Sequence, residues 1–301
     1  MNDAYEVVVI GGGAAGLSGA LMLARSRRSV VVIDAGQPRN APAEGVHGLL
    51  GREGMNPLEL LARGRAEVRG YGGEVEDGEV AGVARDGDGF DVRLADGRGV
   101  RAKRLLVTAG LVDELPGIPG LRERWGRDVV HCPYCHGWEI RDQAIGVLAT
   151  GPLSVHQALL FGQLSDDVIL FAHHQELTAE QREQLTSRGI GIVTGEVESL
   201  EIAEDRITGV RLAGRTVPRD AVAVAARAVA RAGFLAGLGL KTVEHPSGMG
   251  EHIPADPTGR TEVAGVWAAG NVTDISAQVG SAAAAGALAG AHINADLVMN
   301  P

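Results

Sequence analysis

The chain has 301 residues, 45% of them apolar and 22% charged, with 44 glycines, two cysteines and a net charge of −10. This balance excludes a wholly disordered chain, and the length asks for two cores rather than one. The acidic charge, with no basic stripe, excludes nucleic acid as the expected partner. No signal-peptide pattern opens the chain, and the longest apolar runs are broken by Gly, Arg or Asp before they reach membrane-spanning length. A cytoplasmic protein away from the membrane is therefore expected, and there a pair of cysteines points to catalysis or metal binding more than to a structural staple.

The opening YEVVVIGGGAAGLSGALMLARSRRSVVVIDAG reads as a β-α-β unit. Val7 to Ile10 is a buried strand, Ala14 to Ser26 an apolar helix, and Val30 to Ile33 a second strand ending at Asp34. Gly11, Gly13 and Gly16 form G-x-G-x-x-G between strand and helix. Gly11 permits the tight turn, Gly13 lets backbone approach a pyrophosphate, and Gly16 lets helix and strand pack closely. The helix N-terminus turns N–H groups toward phosphate, and Asp34 at the second strand's end suits a ribose diol.

A helix is expected from about Pro57 to Gly70, with Pro57 in its first turn. The turns DGDG and ADGRG then separate strands of a small meander that leads into Leu105 to Thr108. VDELPGIPG, residues 112–120, reads as a linker. A second β-α-β unit follows, with strand Ala144 to Ala149, helix Ser154 to about Leu164 and strand Val168 to Phe171. The next helix has Thr178 as N-cap, Gln181 three residues on and Gly189 as its stop. VEHPSGMG, residues 243–250, reads as a second linker. The tail closes with a strand, a turn and a long small-residue helix. The fold class expected is α/β: two Rossmann-like three-layer domains, the central one inserted in a discontinuous outer one. The boundaries fall at 1–112, 113–244 and 245–301.

Both cysteines lie in HCPYCHGWE, residues 131–139. A C-x-x-C-H string attaches haem, supplies half a zinc site or forms a redox dithiol. Haem attachment lacks an export signal, and a zinc site lacks a second C-x-x-C. His131 and His136 sit too near the cysteines in sequence to complete a tetrahedron, so no metal is expected. A dithiol of Cys132 and Cys135 remains, since two intervening residues let one turn bring the sulfurs together and lower a thiol pKa. His136 is the candidate general base. The glycine loop of the second β-α-β unit departs from the fingerprint. Ala149, Gly151 and Ser154 occupy the fingerprint positions, Pro152 removes an N–H, and His173 and His174 end the next strand. Those two histidines read as a solvated strand end. His245 and His252 line either a substrate entrance or a mobile loop, and Trp138 reads as core.

Three motifs carry a resemblance. GVWAAGNVTD, residues 265–274, resembles the second FAD signature of the two-dinucleotide-binding flavoproteins, with Asn271 where that family carries Asp. LLVTAG, ending in Thr108, Ala109 and Gly110, resembles their middle motif. The order of motifs along the chain resembles low-molecular-weight thioredoxin reductases. CPYCHG, together with the degenerate second loop, looks more like the flavin-dependent dithiol oxidases of the gliotoxin and holomycin type.

The resemblance implies FAD as cofactor, a homodimer, and FAD contacts at Ala14, Ala15, Arg39, His47, Val80, Gln278 and Val279. It further implies that Cys135 faces the flavin while Cys132 exchanges with a small dithiol substrate, the electrons passing to oxygen as hydrogen peroxide. The alternatives are a disulfide reductase fed by NADPH or ferredoxin, and a non-catalytic flavin redox sensor.

Overall fold

The computed structural model describes Met1–Asn300. The chain divides into two compact units. The first comprises Met1–Ala41, Met55–Val112 and Ala228–Pro301, and the second comprises Pro42–Gly54 and Asp113–Arg227. The chain returns to the first unit at Arg227/Ala228, earlier than the 244/245 boundary expected from sequence. VEHPSGMG belongs to a hairpin of the first unit, pairing Val243–Glu244 with Glu251–His252, and does not link domains.

The first unit is built on a parallel sheet whose strands run Glu74–Asp77, Val30–Asp34, Ala4–Ile10 and Gly99–Val107, with Val266–Ala268 on the far side of the last. Val7, Val8 and Val9 are fully buried, as a strand covered on both faces requires. Strand Gly99–Val107 also carries the meander, its first half pairing antiparallel with Gly89–Leu94, which pairs with Val80–Asp86.

Helices Ala14–Arg25 and Val279–Met299 pack backbone to backbone, and glycine permits the approach. A Cβ on Gly286 would lie 1.9 Å from the carbonyl oxygen of Ala15, and one on Gly290 2.6 Å from that of Gly19. Val279–Met299 has the length and apolar composition of a membrane span, yet this packing seats it on the dinucleotide-type sheet. The helix Pro57–Gly70 starts where sequence places it, with the Asn56 side chain accepting from the N–H groups of Leu58 and Glu59.

The second unit holds a five-stranded parallel sheet, ordered Gly191–Thr194, Val168–His173, Ile145–Leu148, Ala221–Val224 and Val129–Val130. A three-stranded antiparallel sheet, Val197–Ala203 to Val217, accompanies it. The helix Ala179–Thr186 carries the expected capping box between Thr178 and Gln181. Two doubly wound parallel sheets in one chain are the Rossmann-like α/β architecture read from the sequence.

Candidate functional site

In the first unit the strand-end loops converge on the first glycine loop. Gly11 has φ 106°, and a Cβ there would meet the Thr108 carbonyl oxygen at 2.4 Å. A Cβ on Gly16 would meet the Gly11 oxygen at 1.9 Å and Thr108 Oγ1 at 2.6 Å. The Thr108 hydroxyl donates to the carbonyls of Ile10 and Gly11, at 3.0 and 2.8 Å. Gly13 differs, since a Cβ there meets nothing within 4 Å.

Gly13 is the N-cap of the helix Ala14–Arg25. No side chain caps it, and no acidic residue stands in the first turn. The loop is thus tight on its protein side and open on its outer side, the shape and polarity a dinucleotide pyrophosphate needs. Asp34, 9% exposed, accepts the N–H of Gly12 at 3.1 Å and pairs with Arg65. Arg65 escaped the sequence reading because only tertiary packing brings its helix to that strand end.

The other residues expected around the loop are placed as follows. Ala15 is buried against the tail, its Cβ 2.8 Å from where a Cβ on Gly270 would be. The carbonyl of Gly110 accepts the N–H of Arg231, and Ala109 is half-buried beside it. Val80 is a core side chain, and Arg39 lies in the turns after the second strand. Gln278 is the N-cap and Val279 the first residue of the tail helix.

The Asn271 amide donates to the carbonyls of Asp274 and Ala277, at 3.2 and 2.9 Å. Both partners are acceptors, so its NH2 must face them. An aspartate at this position would turn a carboxylate oxygen against two carbonyls, so this local arrangement asks for the amide that Asn271 supplies.

The second unit brings the sulfur chemistry together. Cys132 is the N-cap of the short helix Pro133–His136, and its carbonyl accepts the N–H groups of Cys135 and His136, at 3.2 and 3.1 Å. Both cysteines are half-buried. One turn therefore carries the pair and His136. Gly137 closes it, because a Cβ there would lie 2.2 Å from the Pro133 oxygen.

The His136 Nε2 is buried without a hydrogen-bond partner. Burial lowers the His136 pKa below the ordinary imidazole range, Glu139 opposes that shift, and His47 and His131 reinforce it. The ring is therefore a neutral proton acceptor near pH 7. Glu139 is the only one of these neighbours that favours the imidazolium, so Glu139→Gln is expected to move the His136 titration to still lower pH. Imidazole NMR of the variant and parent checks this, and a shift to higher pH would refute the assignment.

His47, expected at the flavin, belongs to the segment grouped with the second unit. Its Nδ1 lies 2.6 Å from Glu53 and its Nε2 3.5 Å from Glu139. Trp138 is 65% exposed with Arg141 stacked on its ring at 4.1 Å, which corrects the core reading. His245 and His252 stack edge to face at 5.0 Å, on the hairpin of the first unit. No group of His, Cys, Asp and Glu suited to a metal ion occurs among the described residues.

The second glycine loop is closed on itself. The buried Ser154 hydroxyl accepts the N–H of Thr150 at 3.1 Å and that of Gly151 at 3.2 Å, and Thr150 Oγ1 donates to Ala225. In a dinucleotide-binding loop the backbone at the second glycine position, here Gly151, comes close to the phosphates. At the next strand end His173 Nδ1 accepts the N–H of Val197 at 3.0 Å. Burial and the neighbouring His174 lower its pKa. An imidazole held neutral in this way brings no charge to a 2′-phosphate.

A model of the pyridine nucleotide-disulphide oxidoreductases matches residues 5–288. Thioredoxin reductase tcpT of Claviceps purpurea (strain 20.1) is 32% identical over 313 residues, which cover 98% of this chain and 96% of that protein. Thioredoxin reductase sirT of Leptosphaeria maculans is 28% identical, with 96% and 93% covered. Among solved structures, HlmI matches with a TM-score of 0.93 at 47% identity, covering 99% of this chain and 94% of HlmI. An oxidoreductase from Agrobacterium tumefaciens matches with a TM-score of 0.92 at 34% identity, covering 99% and 100%.

Proposed function

The chain belongs to the pyridine nucleotide-disulphide oxidoreductase family as a flavin-dependent, thioredoxin-reductase-like thiol–disulfide oxidoreductase, and we propose that within it the protein is an FAD-dependent dithiol oxidase. The observation that carries this reading is the second glycine loop. Its Thr150 and Gly151 amides are consumed by Ser154, and a neutral His173 stands where a 2′-phosphate would need positive charge. A reductase draws electrons from a pyridine nucleotide held at this place. A chain whose second loop ties its own amides to Ser154 offers a pyridine nucleotide a poorer seat, which supports electrons entering from the thiol side instead.

The first glycine loop fits FAD, and the residues that would hold it are Gly11 to Gly16, Asp34, Thr108 and Asn271. Bound FAD supplies a two-electron acceptor whose reduced form passes electrons to oxygen as hydrogen peroxide. The chain's own part is thiol exchange. A substrate thiolate attacks Cys132 Sγ of the oxidised pair, the Cys132–Cys135 bond breaks, and Cys135 leaves as thiolate. The substrate's second thiol then attacks the mixed disulfide and releases Cys132. Two protons leave the substrate for each disulfide formed, and the neutral His136 imidazole is placed on the same turn to take one. Substrate dithiol and oxygen thus become cyclic disulfide and hydrogen peroxide. The proposal includes a small dithiol as substrate and a cytoplasmic homodimer as the working form.

Anaerobic titration of the yellow protein tests this reading. Dithiothreitol alone is expected to bleach the flavin band, and air to restore it with about one peroxide per dithiol. Rapid bleaching by stoichiometric NADPH would make the protein a reductase, as its relatives' names have it, with an unconventional nucleotide site.

A further inference from the structure

Asp34 and Asp77 end adjacent parallel strands of the first unit, in register with each other. Arg65, on the helix Pro57–Gly70, reaches both. Its guanidinium pairs with Asp34 Oδ2 and lies 3.1 Å from Asp77 Oδ1. The other oxygen of Asp34 accepts the N–H of Gly12, inside the glycine loop.

The helix does not depend on this pair for its place. Leu61 and Val68 are buried, and Gly64 seats against Leu17, where a Cβ would meet a methyl carbon at 3.0 Å. An exposed ion pair contributes little to stability, and Asp77 is 87% exposed. Asp34 is different. Its side chain is 12% exposed, and it lies directly against the loop, since a Cβ on Gly12 would meet its Cγ at 2.7 Å. A carboxylate fixed from one side by an amide and from the other by a guanidinium has its remaining lone pairs aimed in one direction. Without the guanidinium, its negative charge would also stand uncompensated beside a pyrophosphate.

We propose that Arg65 is a positioning residue for the adenosine end of the flavin dinucleotide: it orients the Asp34 carboxylate toward the ribose diol and offsets the repulsion between Asp34 and the pyrophosphate. The inference rests on the FAD reading above. It makes Arg65 a determinant of cofactor choice. FMN has the flavin, the ribityl chain and one phosphate but no adenosine, so both flavins feel the charge of Arg65 but only FAD uses the Asp34 carboxylate that it orients.

The test is fluorescence titration of deflavinated protein with FAD and, separately, with FMN. Arg65→Met is expected to weaken FAD by about tenfold, the scale of one charge-assisted hydrogen bond, and to weaken FMN by clearly less. Arg65→Lys is expected to fall between, since an ammonium keeps the charge but not the fork that spans two carboxylates. Gly12→Ala displaces the same carboxylate while Arg65 itself is kept, since the added carbon would lie 2.7 Å from Asp34 Cγ and Oδ2. It supplies a second route to the same lowered FAD-to-FMN preference should Arg65→Met fold poorly. An unchanged preference, or equal loss of both flavins, would overturn the assignment of Arg65 and leave the FAD reading standing. Parent protein that binds neither flavin would overturn the FAD reading and this inference with it.

Discussion

Cys132→Ser is expected to abolish dithiol turnover, lowering kcat/KM by at least about a thousandfold, because a serine hydroxyl is no partner in thiol–disulfide exchange. Cys135→Ser should lose turnover as completely, since neither variant can hold an oxidised pair. The two differ in what they trap. Supplied with a linear disulfide of a small monothiol, the Cys135→Ser protein presents the Cys132 thiolate with no second thiol, of its own or of the reagent, tethered to resolve its product. Cys132 Sγ attacks one sulfur, the reagent's S–S bond breaks, the other half leaves as free thiol, and the mixed disulfide persists. Intact-protein mass spectrometry should therefore find the mass of one thiol half added to Cys135→Ser and none added to Cys132→Ser. The reverse pattern would exchange the roles of the two cysteines, and full turnover by either variant would remove the dithiol from the mechanism. Both side chains are half-buried, Cys132 as the N-cap and Cys135 within the helix Pro133–His136, and the backbone bonds of the turn run between main-chain atoms. Thermal unfolding of both variants at the parent temperature would show that lost turnover reports chemistry rather than folding.

The parts of this site that sequence revealed are those whose physics is local. A glycine loop between an apolar strand and an apolar helix needs no tertiary information, and neither does an Asn or Thr ahead of a helix. Asn56 and Thr178 accept the N–H groups that such residues are expected to accept. The C-x-x-C turn is legible for the same reason, as its hydrogen bonds run within five residues. Ser154 was half legible. The substitution at a glycine-fingerprint position was plain in sequence, but that its hydroxyl turns back to take two loop amides is a matter of rotamer and burial.

The remainder depends on distance along the chain. Arg65 is 31 residues from Asp34, and no local pattern separates it from the other arginines of its helix. The segment 42–54 looks like loop between elements of the first unit, yet it packs with the second, where Gly126 sits tight against Pro42 and His47 faces Glu139. The second boundary was misplaced because proline and glycine mark turns as readily as linkers, and PSGM is the turn of a hairpin. Trp138 reads as core from the sequence, whereas its ring lies exposed and packs against the Arg141 cation at the surface.

The contrast between Gly13 and Gly16 separates what the loop does for the fold from what it does for the cofactor. Gly16→Ala is expected to cost both. Alanine is favoured over glycine in a helix interior by up to about 1 kcal/mol, but the added carbon would lie 1.9 Å from the Gly11 oxygen and 2.6 Å from Thr108 Oγ1. The nearer contact is with backbone, and backbone cannot rotate away. The first helix must leave the strand, and overpacking of this kind costs about 1–3 kcal/mol or more. Thermal unfolding of the flavin-free protein should fall several degrees, and flavin should be largely lost on purification.

Gly13→Ala adds the same carbon at φ −77°, which any residue adopts, into space with no protein atom within 4 Å. The flavin-free protein should unfold at the parent temperature. FAD affinity alone should fall, by about a hundredfold if the methyl meets the pyrophosphate where a phosphate oxygen would otherwise touch backbone. Calorimetry of flavin-free protein and fluorescence titration of FAD supply the two readouts. A Gly13→Ala protein with parental FAD affinity would show that the pyrophosphate does not cross the loop at residue 13. The dinucleotide assignment would then have to move from the glycine loop to another strand end.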